Sequence, residues 1–544
     1  MESLAVDLRT ATRTPLEPEH IAAMRKVGTM RDIATGEMLV HFGDPISEFI
    51  WVETGEIEAV DPVTGGRYGG GATLGPGQFF GEISFLSGGR VLMGARAVQD
   101  SRVLCVPRAS MLDLMSRIPE MSDTIVTVFA GRRRGLLESN QAALTILGAD
   151  QSRDLRRLAA FASRNKIPVR LIELGTDEAE EEAKLCSLLP SQPAVIIGKD
   201  EIVEDPTPRA VAERLGLAIP LDPEQVVDVL IVGGGPGGVA AAVYAGAEGL
   251  SALVVEDLAI GGQAGTSSRI ENYMGFPTGI SGADLCWRGE VQAMKFGTRF
   301  AVPRRAVAME KLDDGTFCIT LDDDAQVCAR AVVIATGVQY RQLPVDRLAE
   351  FEGVGVYYAA TDVEARYCRQ SEVIVIGGGN SAGQAAMYLS RTASHVHVLV
   401  RGGSLAASMS DYLLSRLEKN PRITIHYSTE MTALHGDDTL SAVTIRDKAA
   451  GEDHMIKTAG VFIMVGAAPN TSWLSNLVAL DDKGFVKTGP DIGAASLFET
   501  SQPGVFAVGD VRAGSVKRVA SAVGEGSVVM SQVWAHVDGT THSS

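Results

Sequence analysis

Two glycine-rich turns carry the clearest chemistry in this chain. In VVDVLIVGGGPGGVAAAVYAGAEGLSALVVED, Gly233, Gly235 and Gly238 follow an apolar run and open an alanine-rich segment. In a G-x-G-x-x-G turn between strand and helix, the first glycine permits the tight bend, the second lets backbone approach a diphosphate, and the third lets the helix pack on the sheet. Gly235 and Pro236 then stand at a helix N-terminus, which faces the phosphates. Glu256 ends the next apolar run, 23 residues after Gly233, where a carboxylate accepts hydrogen bonds from a ribose. The second turn, SEVIVIGGGNSAGQAAMYLSRTASHVHVLVRGG, places Gly377, Gly379 and Ala382 in the G-x-G-x-x-A variant, with Gly378, Asn380 and Ser381 completing it. Its next strand ends in Val400-Arg401, with no acid for a ribose. An arginine there pairs with a 2′-phosphate, which favours NADPH and leaves NADH possible. A plain turn at Gly233 and a surface Arg401 are the competing readings.

Positioning two such sites takes several domains, and 544 residues suffice for three or four. Residues 1–138 hold many short apolar stretches broken by Gly, Asp and Pro, the pattern of a β jelly roll closed by helices such as RASMLDLMSRIPEM. Residues 139–222 read strand, helix, strand, acidic helix, strand, helix: a small α/β domain of thioredoxin size. The remainder holds two glycine-rich strand-to-helix junctions, at Gly233 and Gly377, and reads as two Rossmann-like α/β nucleotide-binding domains in tandem. The expected fold class is thus multidomain: jelly roll, small thioredoxin-like α/β domain, then two Rossmann-like α/β nucleotide-binding domains.

A net charge of −18 argues against nucleic acid as a partner, since phosphate neutralisation has the wrong sign over most of the surface. Arg132-Arg133-Arg134 reads as a solvated helix end, and the acidic run Asp177 to Glu182 as a solvated helix face. The first residues lack a basic stretch followed by an apolar one, so no secretory signal and a cytoplasmic location are expected. Val229 to Ala247 is uncharged for 19 residues, but its six glycines and one proline suit strand, turn and helix better than a membrane span. Six cysteines (105, 186, 286, 318, 328, 368) stand at least ten residues apart, which excludes a Cys-x-x-Cys motif and a zinc-knuckle spacing; reduced thiols and no metal site are expected.

VVIATG (Val332 to Gly337), VFIMVGAAPNT (Val461 to Thr471) and GVFAVGDV (Gly504 to Val511) make the resemblance of the last 320 residues specific: they resemble the low-molecular-weight thioredoxin reductase family of flavoproteins. GGQAGTSSRIENYMGFP, with Gly262, Gln263 and Asn272, is similar to that family's flavin-ring and dimer-contact segment. The resemblance implies FAD contacts at Ala335, Thr336 and Gly337, at Gly509 and Asp510 (the ribityl chain), and at Arg518 and Val519 in KRVA, with Gly466 on the nicotinamide side. It also implies an FAD domain made from residues 223–340 and 469–544, an NAD(P)H domain, residues 341–468, inserted between them, and a head-to-tail homodimer. Three positions depart from the family: Gln384 and Ala385 replace a Glu pair on the nicotinamide helix, Val400-Arg401-Gly402 stands for His-Arg-Arg, and Arg518 takes the place of a glutamine near the flavin.

GQFFGEISFLSGGRVLMGARAV resembles the phosphate-binding cassette of cyclic-nucleotide-binding domains, where Gly81 and Glu82 would face the ribose. The arginine of that cassette falls on Val91, with Arg90 beside it and Met93 where a small residue is usual. Since an unpaired phosphate is costly to bury, a degenerate domain used for assembly or another ligand competes with retained cyclic-nucleotide binding. Residues 142–218 resemble a thioredoxin or glutaredoxin fold whose Cys-x-x-Cys is replaced by GADQSRD (Gly148 to Asp154), with Pro193 at the place of the fold's cis-proline, which implies a docking module without redox function.

The family's own redox pair falls on Ala359 and Asp362, or on Ala360 and Val363, so both cysteines are absent. Asp362 and Cys368 are the only nearby candidates for chemistry, against a loop carboxylate and a buried thiol as the alternatives. The expected function is an FAD-dependent, NAD(P)H-oxidising oxidoreductase of the thioredoxin-reductase type with an unidentified electron acceptor. A regulatory sensor without turnover competes, and so does thioredoxin reduction through a cysteine pair that meets only in space.

Overall fold

The computed structural model describes residues 11–541 except 69–72, 139–143, 150–151, 190–191, 200, 205, 268, 341–342, 359, 361, 407, 438, 475 and 495. Ala359, and Asp150 and Gln151 within the Gly148–Asp154 turn, lie outside the described residues, as do the side chains of Asp362 and Val363.

Six strands, β1 (Thr29–Ile33), β2 (Met38–Val40), β3 (Glu48–Val60), β4 (Thr73–Leu74), β5 (Phe79–Phe80) and β6 (Gly94–Pro107), form one antiparallel sheet around the long β3–β6 pair. The core is aromatic. Phe49 and Phe79 of the strands meet Phe85 of α1 (Ser84–Ser87) and Phe129 of α2 (Pro119–Glu138), with ring centroids 5.1 to 6.3 Å apart. Each such ring contributes roughly 2 kcal/mol by burial. The end of α2 lies across the Phe79–Glu82 segment, so Arg132 and Arg133 are not the solvated helix end expected. Arg132 donates from Nη1 to the carbonyls of Phe79 (2.7 Å) and Gly81 (2.9 Å), and Arg133 is 5% exposed.

The α/β unit that follows has the order β-α-β-α-β-β-α: β7 (Leu144–Leu147), α3 (Arg153–Arg164), β8 (Val169–Ile172), α4 (Asp177–Leu185), β9 (Ala194–Ile197), β10 (Glu201–Ile202) and α5 (Pro208–Arg214). Its sheet runs β10-β9-β7-β8, with β7 parallel to β8 and antiparallel to β9. All three helices begin on a Ser or Thr cap, Ser152, Thr176 and Thr207, whose hydroxyl accepts a backbone N–H. The acidic face of α4 is solvated except at Glu182, which turns inward and pairs with Arg170 at 3.1 Å. The cis peptide bond among the described residues precedes Pro303, not Pro193 as expected; Pro193 instead packs its Cβ beside Gly148.

In the last 320 residues, β11 (Val226–Val232), β12 (Ala252–Val255), β13 (Arg299–Ala301), β16 (Gln326–Ile334) and β27 (Val505–Ala507) pair in parallel, extended by an antiparallel meander of β14 (Ala306–Lys311) and β15 (Phe317–Leu321) onto β16. The uninterrupted apolar run Val229–Val232 is what a strand covered on both faces needs. On one face lie α6 (Pro236–Ala247), α7 (Gly282–Lys295) and α10 (Val519–Thr541). There, a Cβ at Gly526 of α10 would stand 2.2 Å from the Gly237 carbonyl of α6. The ribbon β17 (Val338–Tyr340)–β26 (Ala467–Pro469) carries the chain into and out of a second parallel sheet. That sheet is ordered β18 (Val356–Tyr357), β25 (Gly460–Ile463), β19 (Glu372–Ile376), β20 (His395–Val400), β21 (Ile423–Tyr427). It carries α8 (Asp362–Tyr367), α9 (Asn380–Leu389) and a three-stranded ribbon, β22 to β24 (Thr429–Gly436, Leu440–Asp447, Glu452–Lys457).

The expectation of six separate thiols is corrected at one pair. The β15–β16 register sets Cys318 directly opposite Cys328, and the two form a disulfide with Cα atoms 4.1 Å apart. A hairpin brings together residues that are ten apart in sequence. Cys105, Cys186, Cys286 and Cys368 are free and buried. Among the described residues no helix is long and apolar enough to cross a membrane, and no cluster of three His, Cys, Asp or Glu is placed to hold a metal.

Candidate functional site

At the β11–α6 turn each glycine has a distinct role. Gly233 has φ +110°, and a Cβ there would stand 2.3 Å from the Ala335 carbonyl. A Cβ at Gly238 would lie 1.9 Å from the Gly233 carbonyl, so Gly238 closes helix on turn rather than facing the cleft. Gly235 has nothing within 4 Å of its missing Cβ, which leaves open space against the first turn of α6. This is a cradle for a diphosphate.

The cradle opens into a cavity of about 590 Å³. Gly233, Gly235, Pro236, Glu256, Gly262 and Gln263 line it, as do Ala335, Thr336 and Gly337, and Gly509, Asp510, Arg518 and Val519. Thus thirteen of fifteen residues expected around FAD converge; Gly238 and Asn272 do not reach the cavity, and Asn272 lies exposed in the loop before Tyr273. Glu256 accepts backbone N–H groups from Gly234 (2.7 Å) and Leu258 (3.1 Å). Burial pushes its carboxyl above the usual range, opposed by those hydrogen bonds and by Arg164. Burial also raises Asp510, with Lys517 opposing. The glycine cradle, the acid at the end of β12 and the acid after β27 fit FAD.

Four cationic side chains at this cavity were not anticipated: Arg164, Arg304, Arg305 and Lys517. The basic pair Arg304-Arg305, separated from the end of β13 by two residues, was detectable as charge at the carboxyl edge of a parallel sheet. Arg164 carries no such signal, because it reaches the cavity from the α/β unit.

The nicotinamide side faces the same space. Ser381, Gln384 and Ala385 of α9 line the cavity together with Met464. Gly377 has φ +150°, and a Cβ there would meet the Met464 carbonyl at 2.4 Å. Ser408 donates to the Gly378 carbonyl at 2.7 Å, and Asn380 accepts the Ser410 N–H at 2.9 Å, so a second loop braces the turn that carries Gly379. Gly466, φ +91°, begins the return into β26. Arg401 lies exposed at the end of β20 and makes no ion pair among the described residues.

The three cyclic-nucleotide-like residues are each engaged by protein neighbours. Glu82 is engaged by Arg133, and a Cβ at Gly81 (φ +129°) would meet the Phe129 ring at 2.9 Å. Arg90 points away: it donates to the Gly43 carbonyl at 2.8 Å and crosses Gly216 of the α/β unit. Glu82 and Gly81 are thus engaged by α2 of their own domain, and Arg90 by the α/β unit, which packs on this edge of the first domain.

Nor does a thiol face the cavity: no cysteine is among the described residues that line it. Cys368, a candidate for chemistry, is 1% exposed against Gly460, and burial pushes its thiol up to about 12, the state of an inert structural cysteine. Asp362 is the first residue of α8. The wall at this point is Tyr358 and Ala360, with the Tyr358 hydroxyl donating to Glu352 at 2.8 Å. The Cys318–Cys328 disulfide is distant, since Cys328 lies seven strand residues, roughly 23 Å, from Ala335.

Residues 227–526 match the family described as pyridine nucleotide-disulphide oxidoreductase, and residues 30–118 match the cyclic nucleotide-binding domain. The thioredoxin reductase of Treponema pallidum is 33% identical over 311 residues, covering 57% of this chain and 97% of that protein. That of Mycolicibacterium smegmatis is 34% identical over 307 residues, covering 56% and 94%. Among solved structures, Lactococcus lactis thioredoxin reductase in its FR conformation superposes with a TM-score of 0.53 at 29% identity, covering 57% of this chain and 99% of that one. The thioredoxin reductase of T. acidophilum gives 0.52 at 30%, covering 57% and 99%. Family members use FAD and NADPH. With the two nucleotide turns converging on one cavity and the match extending over more than half its length, the chain belongs to the pyridine nucleotide-disulphide oxidoreductase family and is a thioredoxin-reductase-like oxidoreductase carrying an N-terminal cyclic nucleotide-binding domain.

Proposed function

We propose that this protein oxidises NADPH at an FAD site and passes the electrons to an acceptor that enters the flavin cavity itself, without an internal dithiol. One observation carries the reading: a cavity shared by the FAD turn and α9 contains no cysteine among its described lining residues. Bound FAD supplies hydride acceptance from NADPH and onward electron transfer.

The protein's own residues bind, orient and exclude. The α6 N-terminus and Gly235 take the diphosphate, and Glu256 takes a ribose. Ser381, Gln384 and Ala385 present small or neutral side chains where a nicotinamide must reach the flavin. Arg401, exposed and without an ion pair among the described residues, offers a charge-assisted pair to the 2′-phosphate of NADPH. Tyr358 keeps its proton, because burial and Glu352 push its phenol up; with Ala360 it forms the wall that a dithiol would otherwise occupy.

The 2-1-3-4 strand order of the α/β unit supports a thioredoxin-like fold, here a docking module without thiols. Arg156 near its α3 N-terminus stacks over Tyr367 of α8, and Glu173 faces Arg366 at 3.6 Å, so the unit leans on the helix that carries the second position of the missing redox pair. We take the first domain as a regulatory or assembly module, the working form as a homodimer and the location as cytoplasmic.

Anaerobic mixing with NADPH tests the reading. Flavin bleaching in a single fast phase, with no insulin reduction when thioredoxin is supplied, is expected. No bleaching with either NADPH or NADH overturns the enzyme reading in favour of a non-turnover sensor, and steady thioredoxin reduction overturns the dithiol-free exit.

A further inference from the structure

The end of α3 crosses from the α/β unit to the flavin domain through three consecutive residues. Arg164 donates from Nη2 to the Gly262 carbonyl at 3.2 Å, Asn165 from Nδ2 to the Leu258 carbonyl at 2.9 Å, and Lys166 faces Asp284 at 3.7 Å. Only Arg164 of the three lines the large cavity. Its anchor, Gly262, abuts the phosphate cradle: a Cβ at Gly262 would stand 3.1 Å from the Cα of Gly235.

We infer that Arg164 is a binding residue for the diphosphate of FAD, so that the fused α/β unit completes the cofactor site of the reductase module; this rests on the reading that the cavity holds FAD.

Three features support it. A guanidinium has five N–H donors in a planar fork, and one hydrogen bond to Gly262 leaves most of that fork free toward the cavity. Arg164 makes no ion pair among the described residues, whereas Arg304 across the cavity is already paired with Asp323 at 2.8 Å. A half-buried cation without a carboxylate partner is matched by an anionic ligand, and a diphosphate takes a guanidinium bidentately. The charge is felt inside the site, since Arg164 counts among the influences that hold Glu256 down against its burial. The matched family region begins only at residue 227, so this residue lies outside the part of the chain that the reductase resemblance covers.

A docking role alone would put Arg164 and Arg209 on the same footing. Arg209 also joins the α/β unit to the flavin domain, through Asp322 and the Pro303 carbonyl (3.3 Å), but does not line the cavity. The test uses the full chain stripped of flavin, titrated with FAD, ADP and adenosine by fluorescence. Arg164→Ala should weaken FAD and ADP by about 10-fold, the loss expected for a charge-assisted contact, and leave adenosine unchanged. Arg209→Ala should stay within about twofold of wild type, and Arg164→Lys, which keeps the charge, should fall between. Equal FAD affinity in wild type and Arg164→Ala overturns the assignment, as does an equal loss in Arg209→Ala or a matching loss for adenosine. If wild type itself fails to bind FAD, the cofactor reading fails first and takes the assignment with it.

Discussion

Arg133 donates from both Nε (2.9 Å) and Nη2 (2.6 Å) to one carboxylate oxygen of Glu82, and from Nη1 to the Lys166 carbonyl at 3.1 Å. The residue placed to hold a nucleotide ribose is thereby tied to a helix of its own domain and, through it, to the α/β unit. Nη2 of Arg133 also reaches the Ser84 hydroxyl at 2.7 Å, which leaves the guanidinium almost fully satisfied.

Breaking this pair should be expensive. With side chains 6% and 14% exposed, removing one partner leaves a charge buried without its counter-ion, at a cost of about 3 to 5 kcal/mol. Arg133→Ala should lower the denaturation midpoint of the first domain more than Arg134→Ala. Equal midpoints would show the pair to be energetically idle.

Cyclic AMP should bind weakly or not at all. Glu82 is occupied, Val91 stands where an arginine is needed for the phosphate, and Arg90 is spent on the Gly43 carbonyl. Calorimetry should show no saturation up to about 100 μM cyclic AMP, since a buried phosphate without a cation is strongly disfavoured. Micromolar binding would mean that Glu82 exchanges Arg133 for the ligand.

The first domain, the α/β unit and the flavin domain meet around Arg133, and the flavin-domain side contributes Glu290 of α7. Burial pushes this carboxyl from 4.5 up to about 7, with Arg133 opposing. The folded protein therefore holds a proton that the unfolded chain has released between about pH 4.5 and 7, so this stabilisation is complete below that window and lost as pH rises through it. Melting curves of wild type should fall relative to Glu290→Gln between pH 5 and 7, and Arg133→Ala should move the window upward. Parallel curves would place Glu290 in solvent.

How much of this could be read from sequence divides along a physical line. The nucleotide turns are local: a glycine triplet between an apolar strand and an alanine-rich helix fixes its own geometry, and Gly233, Gly235, Pro236 and Glu256, read that way, line one cavity with most of the residues that the family resemblance supplied. What escaped depends on non-local packing. Arg132 and Arg133 look like a solvated cluster until α2 lies across Phe79–Glu82, and Cys318 meets Cys328 only through a hairpin register. Arg164 has no motif at all; its position follows from the docking of one folded unit on another.

Cofactor preference should depend on Arg401. It is exposed at the end of β20, carries no ion pair among the described residues, and is the sole survivor of the basic trio expected there. A charge-assisted pair with the 2′-phosphate is worth on the order of 1.5 kcal/mol, so Arg401→Ala should raise the KM for NADPH about 10-fold and leave that for NADH unchanged. Because the substitution lies on an exposed strand end, the melting temperature should not move. An equal rise for both nucleotides would show that Arg401 acts on the fold of the turn rather than on the phosphate.

The disulfide should be silent in electron transfer. Cys318–Cys328 lies across the β15–β16 hairpin, roughly 23 Å along the strand from Ala335 at the cavity, too far for direct exchange with a flavin there. Changing both cysteines to serine should leave the rate of flavin bleaching by NADPH within about twofold, while costing up to about 3 kcal/mol of stability from the lost cross-link. Cys368→Ser should likewise spare the rate, since its thiol is buried and held protonated. A large loss of turnover in the double variant, with bleaching intact, would mean that electrons leave through this hairpin, and the thiol-free cavity would then be only the entry point.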